Sequence, residues 1–160
     1  DFLLELFRKA KARGINTCLD TSAQPFTRQG KWFEKFEELM VYTDTILLDI
    51  KHIKDEEHRK LTKFSNKNIL DCARYLSKTN KPVWIRHVLI PGITDEDEYL
   101  EELRDFLSTL SNIQRIDVLP YHTMGIYKYE KLGIPYPLDG IEPPGRERVA
   151  HAESILQKAL

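Results

Sequence analysis

Apolar and polar positions along this chain follow two periods, and the switches between them lay out its elements. Four short apolar, β-branched runs read as strands: Ile15–Asp20, Thr45–Lys51, Val83–Ile90 and Ile116–Pro120. Between them apolar residues recur at three and four positions, the spacing of one helix face. That spacing predicts a helix over Phe2–Arg13, ended by Gly14, and another over Lys31–Met40 with Trp32, Phe33, Phe36, Leu39 and Met40 on one side. A short charged helix covers Asp55–Thr62. Asn66–Lys78 turns Ile69, Cys72, Ala73 and Leu76 to one face, and Asp95–Leu110 does so with Leu100, Leu103, Phe106, Leu107 and Leu110. A last helix runs from Gly145 to Leu160 behind Pro143-Pro144.

Strands alternating with helices at roughly 30–40 residues per unit indicate βαβ repeats and a parallel sheet. The expected fold class is α/β, in one domain over residues 1–160. A closed eight-stranded barrel typically takes about 250 residues. Four strands therefore make an open sheet or part of a barrel. Both architectures keep ligands at the carboxyl ends of the strands.

The strand ends are polar. The first ends Leu19-Asp20-Thr21, and the second ends Leu47-Leu48-Asp49-Ile50-Lys51. The third contains Trp84-Ile85-Arg86-His87 and leads to Pro91-Gly92, and the fourth leads to Pro120-Tyr121-His122. Alternation sets Asp49 and Lys51 on one face with Leu47. Each residue has a plainer reading: Asp20 as a turn cap, Asp49 with Lys51 as an ordinary ion pair, His122 as a hydrogen-bonded loop residue. Arg86 is harder to dismiss, because a guanidinium on a central strand needs anionic partners. Taken together, these residues describe a mixed-charge pocket suited to a small zwitterionic or phosphorylated ligand. The residues alone go no further.

Composition narrows the partners. The 160 residues include 24 Lys and Arg against 25 Asp and Glu, a formal net charge of −1. So balanced a chain gives no electrostatic reason for nucleic acid or a membrane surface as partner. No apolar run approaches the roughly 18–20 residues of a spanning helix, and no signal-peptide pattern opens the chain, so the cytoplasm is expected. Cys18 and Cys72 make no ligand spacing and read as buried free thiols. The first residue is Asp1, and helical spacing already begins at Phe2, as in a fragment.

The runs LDTSA, LLDIKHIKDEEHRKLT, VWIRHVLIPGITD and LPYHTMGIYKYEKLG, followed by EPP, occur in this order over Gly14 to Glu153. In them the chain resembles the glycyl-radical-enzyme activating enzymes of the radical S-adenosylmethionine superfamily, closest to the activators of pyruvate formate-lyase. The resemblance implies a partial (β/α)6 TIM-like barrel, of which the four strands are the last four. It also implies an N-terminal CxxxCxxC loop for a 4Fe-4S cluster and a Gly-Gly-Glu-Pro strand end, both missing from this chain.

By the same resemblance Asp49, Ile50 and Lys51 match the family's Asp-Leu-Lys segment beside S-adenosylmethionine, and His122 matches the histidine near its adenine or ribose. Arg86 joins them as a cofactor-binding candidate. Asp20, Thr21, Leu47 and Asp49 match the positions that hold a monovalent cation beside the cofactor's carboxylate. Two facing carboxylates do supply oxygen ligands for a hard cation. His58 aligns with the histidine of the family's DLK…H pattern, against a plain reading as a solvent-facing helical residue.

The chain departs from the family in places. Ser22-Ala23 stand where the family reads Asn-Gly or Ser-Gly, and QPFTRQG follows as a short insertion. Lys63-Phe64 stand where the family often has glycine.

The activity implied is reductive cleavage of S-adenosylmethionine to a 5′-deoxyadenosyl radical, which takes hydrogen from a glycine of pyruvate formate-lyase or a related enzyme. Flavodoxin or ferredoxin is the implied electron donor. Tyr121–Gly133 is a candidate peptide-contacting loop. Lacking the cluster motif, this chain is expected to be inactive alone, with no catalytic residue of its own. Two other readings compete: a non-catalytic binding module, and a Schiff-base aldolase using Lys51.

Overall fold

In a computed structural model describing all residues from Asp1 to Leu160, the elements follow one another as the patterning predicts, with one addition. They are α1 (Phe2–Lys11), β1 (Cys18–Thr21), α2 (Gly30–Val41), β2 (Thr45–Asp49), α3 (Asp55–Thr62), α4 (Lys67–Lys78) and β3 (Val83–Leu89). Then come α5 (Asp97–Leu107), β4 (Ile113–Pro120), α6 (Ile126–Leu132), α7 (Arg146–Leu156) and a 3-10 turn over Gln157–Ala159. The addition is α6, which occupies most of the segment expected as a peptide-contacting loop. No helix is long and apolar enough to cross a membrane.

The four strands form one parallel sheet in the order β1-β2-β3-β4. Parallel neighbours need a crossover, and each here contains a helix. Alternation along the strands then divides the sheet. On β3, Val83, Ile85, His87 and Leu89 are buried, while Trp84, Arg86 and Val88 are only half-buried. Ile46 and Leu48 of β2 and Ile116 and Val118 of β4 continue the buried side. They join a core of 23 buried residues that includes Ile69, Cys72 and Leu76 from α4, Leu100, Leu103 and Leu107 from α5, and Ile155 and Leu156 from α7. The opposite face stays open.

That division corrects the expectation for Cys18. It is exposed, because β1 is an edge strand and Cys18 shares the open face with Asp20. Cys72 is buried, and burial pushes its thiol up to about 12. β1 also starts later than expected. The Thr17 amide donates to the Asp44 carboxylate at 2.8 Å, leaving the ladder to open at Cys18. Helix α1 ends at Lys11, and its closing turn reaches Gly14, which has φ 72 and whose amide donates to the Lys11 carbonyl at 2.9 Å.

Both positions where the family reads glycine are left-handed here. Ala23 has φ 55, and Lys63, the C-cap of α3, has φ 70. Each adopts without glycine an angle that glycine takes most freely. The insertion after Ala23 is anchored by Phe26, 3% exposed. Its ring meets Trp32, Phe33, Phe36 and Tyr75 at centroid distances of 5.3 to 6.1 Å.

Candidate active site at the strand ends

Register places Arg86 of β3 beside Asp49 of β2 on one side and Asp117 of β4 on the other. Its Nε donates to Asp49 Oδ1 at 2.7 Å. Its Nη1 donates to Asp20 Oδ2 at 2.9 Å, and Nη2 donates to the other Asp20 oxygen, which completes a two-pronged pair. Lys51 Nζ donates to Asp49 Oδ2 at 2.6 Å. One guanidinium, from the middle of β3, and one ammonium therefore hold two carboxylates at the carboxyl ends of β1 and β2. Burial alone would lower the Arg86 pKa, but the Asp49 and Asp20 carboxylates outweigh it and hold it above its ordinary value.

The network grades from protected to open. The side chain of Asp49 is 15% exposed and that of Arg86 21%, whereas Asp20 is 60% exposed. Next to it on the open face, Asp117 Oδ1 accepts from Arg115 Nε at 2.6 Å, and the Arg115 guanidinium lies 5.0 Å from the Trp84 ring centroid.

The other sequence candidates fall around this network. The Thr21 hydroxyl accepts from the Ala23 amide at 2.9 Å, so it is Thr21, rather than Asp20, that caps the turn. Leu47 is the register partner of Asp20. The Ile50 side chain is buried, and its amide donates to the Arg86 carbonyl at 3.1 Å. His122 is exposed two residues beyond β4, outside the network. Lys51 is committed to Asp49 rather than set in an apolar pocket, and this opposes the aldolase reading.

The four positions matched to a monovalent cation do not fit one as they stand. Arg86 already engages both carboxylates of that set.

Sequence reasoning overlooked the histidines beneath the site. His87 Nδ1 lies 2.9 Å from the Ile50 carbonyl oxygen, and its Nε2 lies 3.2 Å from that of Thr94. His52 Nδ1 accepts from the Lys54 amide at 3.0 Å, which leaves Nε2 to donate to the Ile93 carbonyl at 3.1 Å. These rings fasten the segment after β2 to the Pro91-Gly92 loop. The signal was available, since His87 alternates with Ile85 and Leu89 on the buried face. His58 is buried at 2% exposure, contrary to the solvent-facing reading, with Nδ1 2.7 Å from the Phe64 carbonyl oxygen. It thereby spans the left-handed turn at Lys63.

Comparison with known proteins agrees with this architecture. The chain is 54% identical over 156 residues to a pyruvate formate-lyase-activating enzyme of Streptococcus mutans, covering 98% of this chain and 59% of that protein. It is 52% identical over 157 residues to one of Listeria monocytogenes, covering 98% of this chain and 63% of that protein. The chain thus spans about three fifths of the length of these curated relatives. Among solved structures, a domain of pyruvate-formate lyase-activating enzyme from Bacteroides vulgatus matches with a TM-score of 0.79 at 22% identity, covering 99% of this chain and 85% of that one. A radical SAM methyltransferase from Sphaerobacter thermophilus matches at 0.64 and 20%, covering 92% of this chain and 40% of that one. Both share the fold. Residues 1–107 match the Radical SAM superfamily model, which is more than half of the sequence, and the chain belongs to that superfamily.

Proposed function

We propose that the chain is part of an activating enzyme that cleaves S-adenosylmethionine reductively and places a glycyl radical on pyruvate formate-lyase or a related enzyme. The observation that carries this reading is the Asp20–Arg86–Asp49–Lys51 network, which joins the ends of β1 and β2 to the middle of β3, in a chain of this superfamily. Relatives named for activating pyruvate formate-lyase supply the partner.

The residues suit the cofactor. A zwitterionic methionine end needs both signs of charge within a few ångströms, which the network offers. Lys51 is one-third exposed and positioned to receive a carboxylate. Ile50 holds the Asp49–Lys51 segment in place from the core, and exposed His122 is free to border the adenine or ribose. Together with a reduced 4Fe-4S cluster, S-adenosylmethionine supplies hydrogen abstraction from a glycine of the partner. Cys18 and Cys72 stand on opposite sides of the sheet's division, one exposed and one buried, so the cluster's thiolates belong to another part of the protein. The role of the present residues is to bind, orient and screen the cofactor. The electron donor is a flavodoxin or ferredoxin, the compartment is the cytoplasm, and the chain alone has no turnover.

The test is 5′-deoxyadenosine release under anaerobic, reducing conditions. It compares a protein that also carries a CxxxCxxC segment, reconstituted with iron and sulfide, against this chain alone. Release from the longer protein only, reduced by Lys51→Ala and His122→Ala, is the expected result. A reconstituted longer protein that takes up no cluster and releases none overturns the reading in favour of a binding module.

A further inference from the structure

His52 and His87 are both buried among backbone groups, yet only one of them has a settled proton. His52 accepts from the Lys54 amide at Nδ1, so that ring carries its proton on Nε2, toward Ile93. His87 has carbonyl oxygens on both sides, Ile50 at 2.9 Å from Nδ1 and Thr94 at 3.2 Å from Nε2. Burial keeps the ring neutral, and a neutral ring carries one N–H. Ile50 and Thr94 are each 1% exposed, and neither carbonyl accepts any other hydrogen bond. One of them therefore goes without a donor. We propose that His87 is a positioning residue: its proton rests on Nδ1, fixes the Ile50 carbonyl, and thereby aims Lys51 at the cofactor's carboxylate. The ligand in this inference rests on the proposed activity, while the place of the proton rests on geometry alone.

The two carbonyls differ in what else holds them. The Thr94 amide donates to the Ile90 carbonyl at 3.0 Å, its hydroxyl donates to the Val88 carbonyl at 2.7 Å, and the same hydroxyl accepts from the Ile90 amide at 2.8 Å. Thr94 keeps its place without the ring. Ile50, just past the end of β2, has only the bond from its amide to the Arg86 carbonyl at 3.1 Å. Lys51, next in the chain, makes no backbone hydrogen bond of its own. The Ile50 carbonyl and the Lys51 amide belong to one rigid peptide plane. An Nδ1–H donated to that carbonyl thus sets the direction in which the Lys51 side chain leaves the sheet. The side chain is one-third exposed and ends 2.6 Å from Asp49 Oδ2. With the proton on Nε2 instead, the Ile50 oxygen would face a ring lone pair, and the plane would turn away from it.

Asparagine and glutamine separate the two ring nitrogens. An asparagine amide nitrogen takes the position of Nδ1, a glutamine amide nitrogen takes that of Nε2, and each variant leaves one side-chain oxygen without a donor. In the reconstituted longer protein, His87→Gln should raise the KM for S-adenosylmethionine about three- to tenfold, the equivalent of one hydrogen bond, with kcat little changed. His87→Asn should recover most of that loss. Urea midpoints should fall alike in both, whereas a merely structural role predicts equal KM values. Ring-nitrogen NMR spectra of the wild type, taken without cluster or S-adenosylmethionine, should show Nδ1 of His87 protonated and Nε2 bare. The Lys51 amide resonance should move further in His87→Gln than in His87→Asn. Equal KM values for the two variants, or a proton found on Nε2, overturn the proposal. If neither variant folds, the wild-type spectra decide. A longer protein that releases no 5′-deoxyadenosine overturns the proposed activity instead, and the ring and Lys51 resonances still judge the proton.

Discussion

His87 points its Nδ1 at the carbonyl oxygen of Ile50, 2.9 Å away, and so fastens β3 to the residue that follows Asp49. The other nitrogen faces the Thr94 carbonyl, and a neutral imidazole can donate to only one of the two. Burial holds His87 and His52 below the ordinary histidine value, against the backbone carbonyls that favour the charged ring. Unfolding releases both rings to titrate near 6.5. The unfolded chain therefore binds more protons below that pH. The contribution of these rings is complete above about pH 6.5 and is lost as pH falls from there toward the folded values, with a slope of at most about 1.4 kcal/mol per pH unit for each ring. Urea unfolding at pH 7.5, 6.5 and 5.5 checks this, and His52→Gln should flatten the slope. Equal stability at all three pH values would contradict it.

Lys63 takes a left-handed backbone angle, φ 70, at the end of α3. Lys63→Gly should raise stability by about 0.5–1 kcal/mol, read as a higher urea midpoint at unchanged slope. Lys63→Val should lower it. Ala23, with φ 55, is also buried, so Ala23→Gly gives up a packed methyl as it relieves the angle and should come out near neutral.

Phe26 is the anchor of the QPFTRQG insertion and is enclosed by four other aromatic rings. Phe26→Ala should cost about 3–5 kcal/mol, as expected for a large buried ring removed without collapse of its site. Gln29→Ala, on the exposed part of the same loop, should change stability by less than about 0.5 kcal/mol. Similar losses for both variants in denaturant melts would mean that Phe26 is not the anchor.

Arg148 of α7 reaches back to the turn after β3. It donates to Asp95 at 3.2 Å and to Asp97 at 2.7 Å, while the other Asp95 oxygen accepts from the Gly92 amide at 2.7 Å. Arg148→Ala should cost about 1–3 kcal/mol, because Asp95 is left with little solvent and one fewer donor. Hydrogen exchange should accelerate first in α7 and the Pro91–Asp95 turn. Protection unchanged in both segments would remove the latch from this account.

Much of this was legible in the residues. The period of 3.6 located α1, α2, α4 and α5 by their apolar faces, α3 stood out as a short charged run, α7 followed Pro143-Pro144, and the four strands stood out as β-branched runs between turns. Arg86 announced its need for acids, and the fold supplies Asp49 and Asp20. What stayed hidden depended on tertiary context. Helix α6 has only seven residues and buries none of them, so Ile126, Tyr129 and Leu132 make too short a pattern to stand out. The exposure of Cys18 follows from β1 being an edge, and no local run records which strand lies at an edge. The roles of His52, His58 and His87 lie in contacts to backbone carbonyls, which leave no trace in spacing.

The division of each strand between a buried face and an open one means that adjacent codons answer to different demands. Ile85 and His87 secure folding, while Arg86 between them serves the strand-end network. Along β3, then, the residues that meet a ligand can change with less cost to the buried core than their neighbours can.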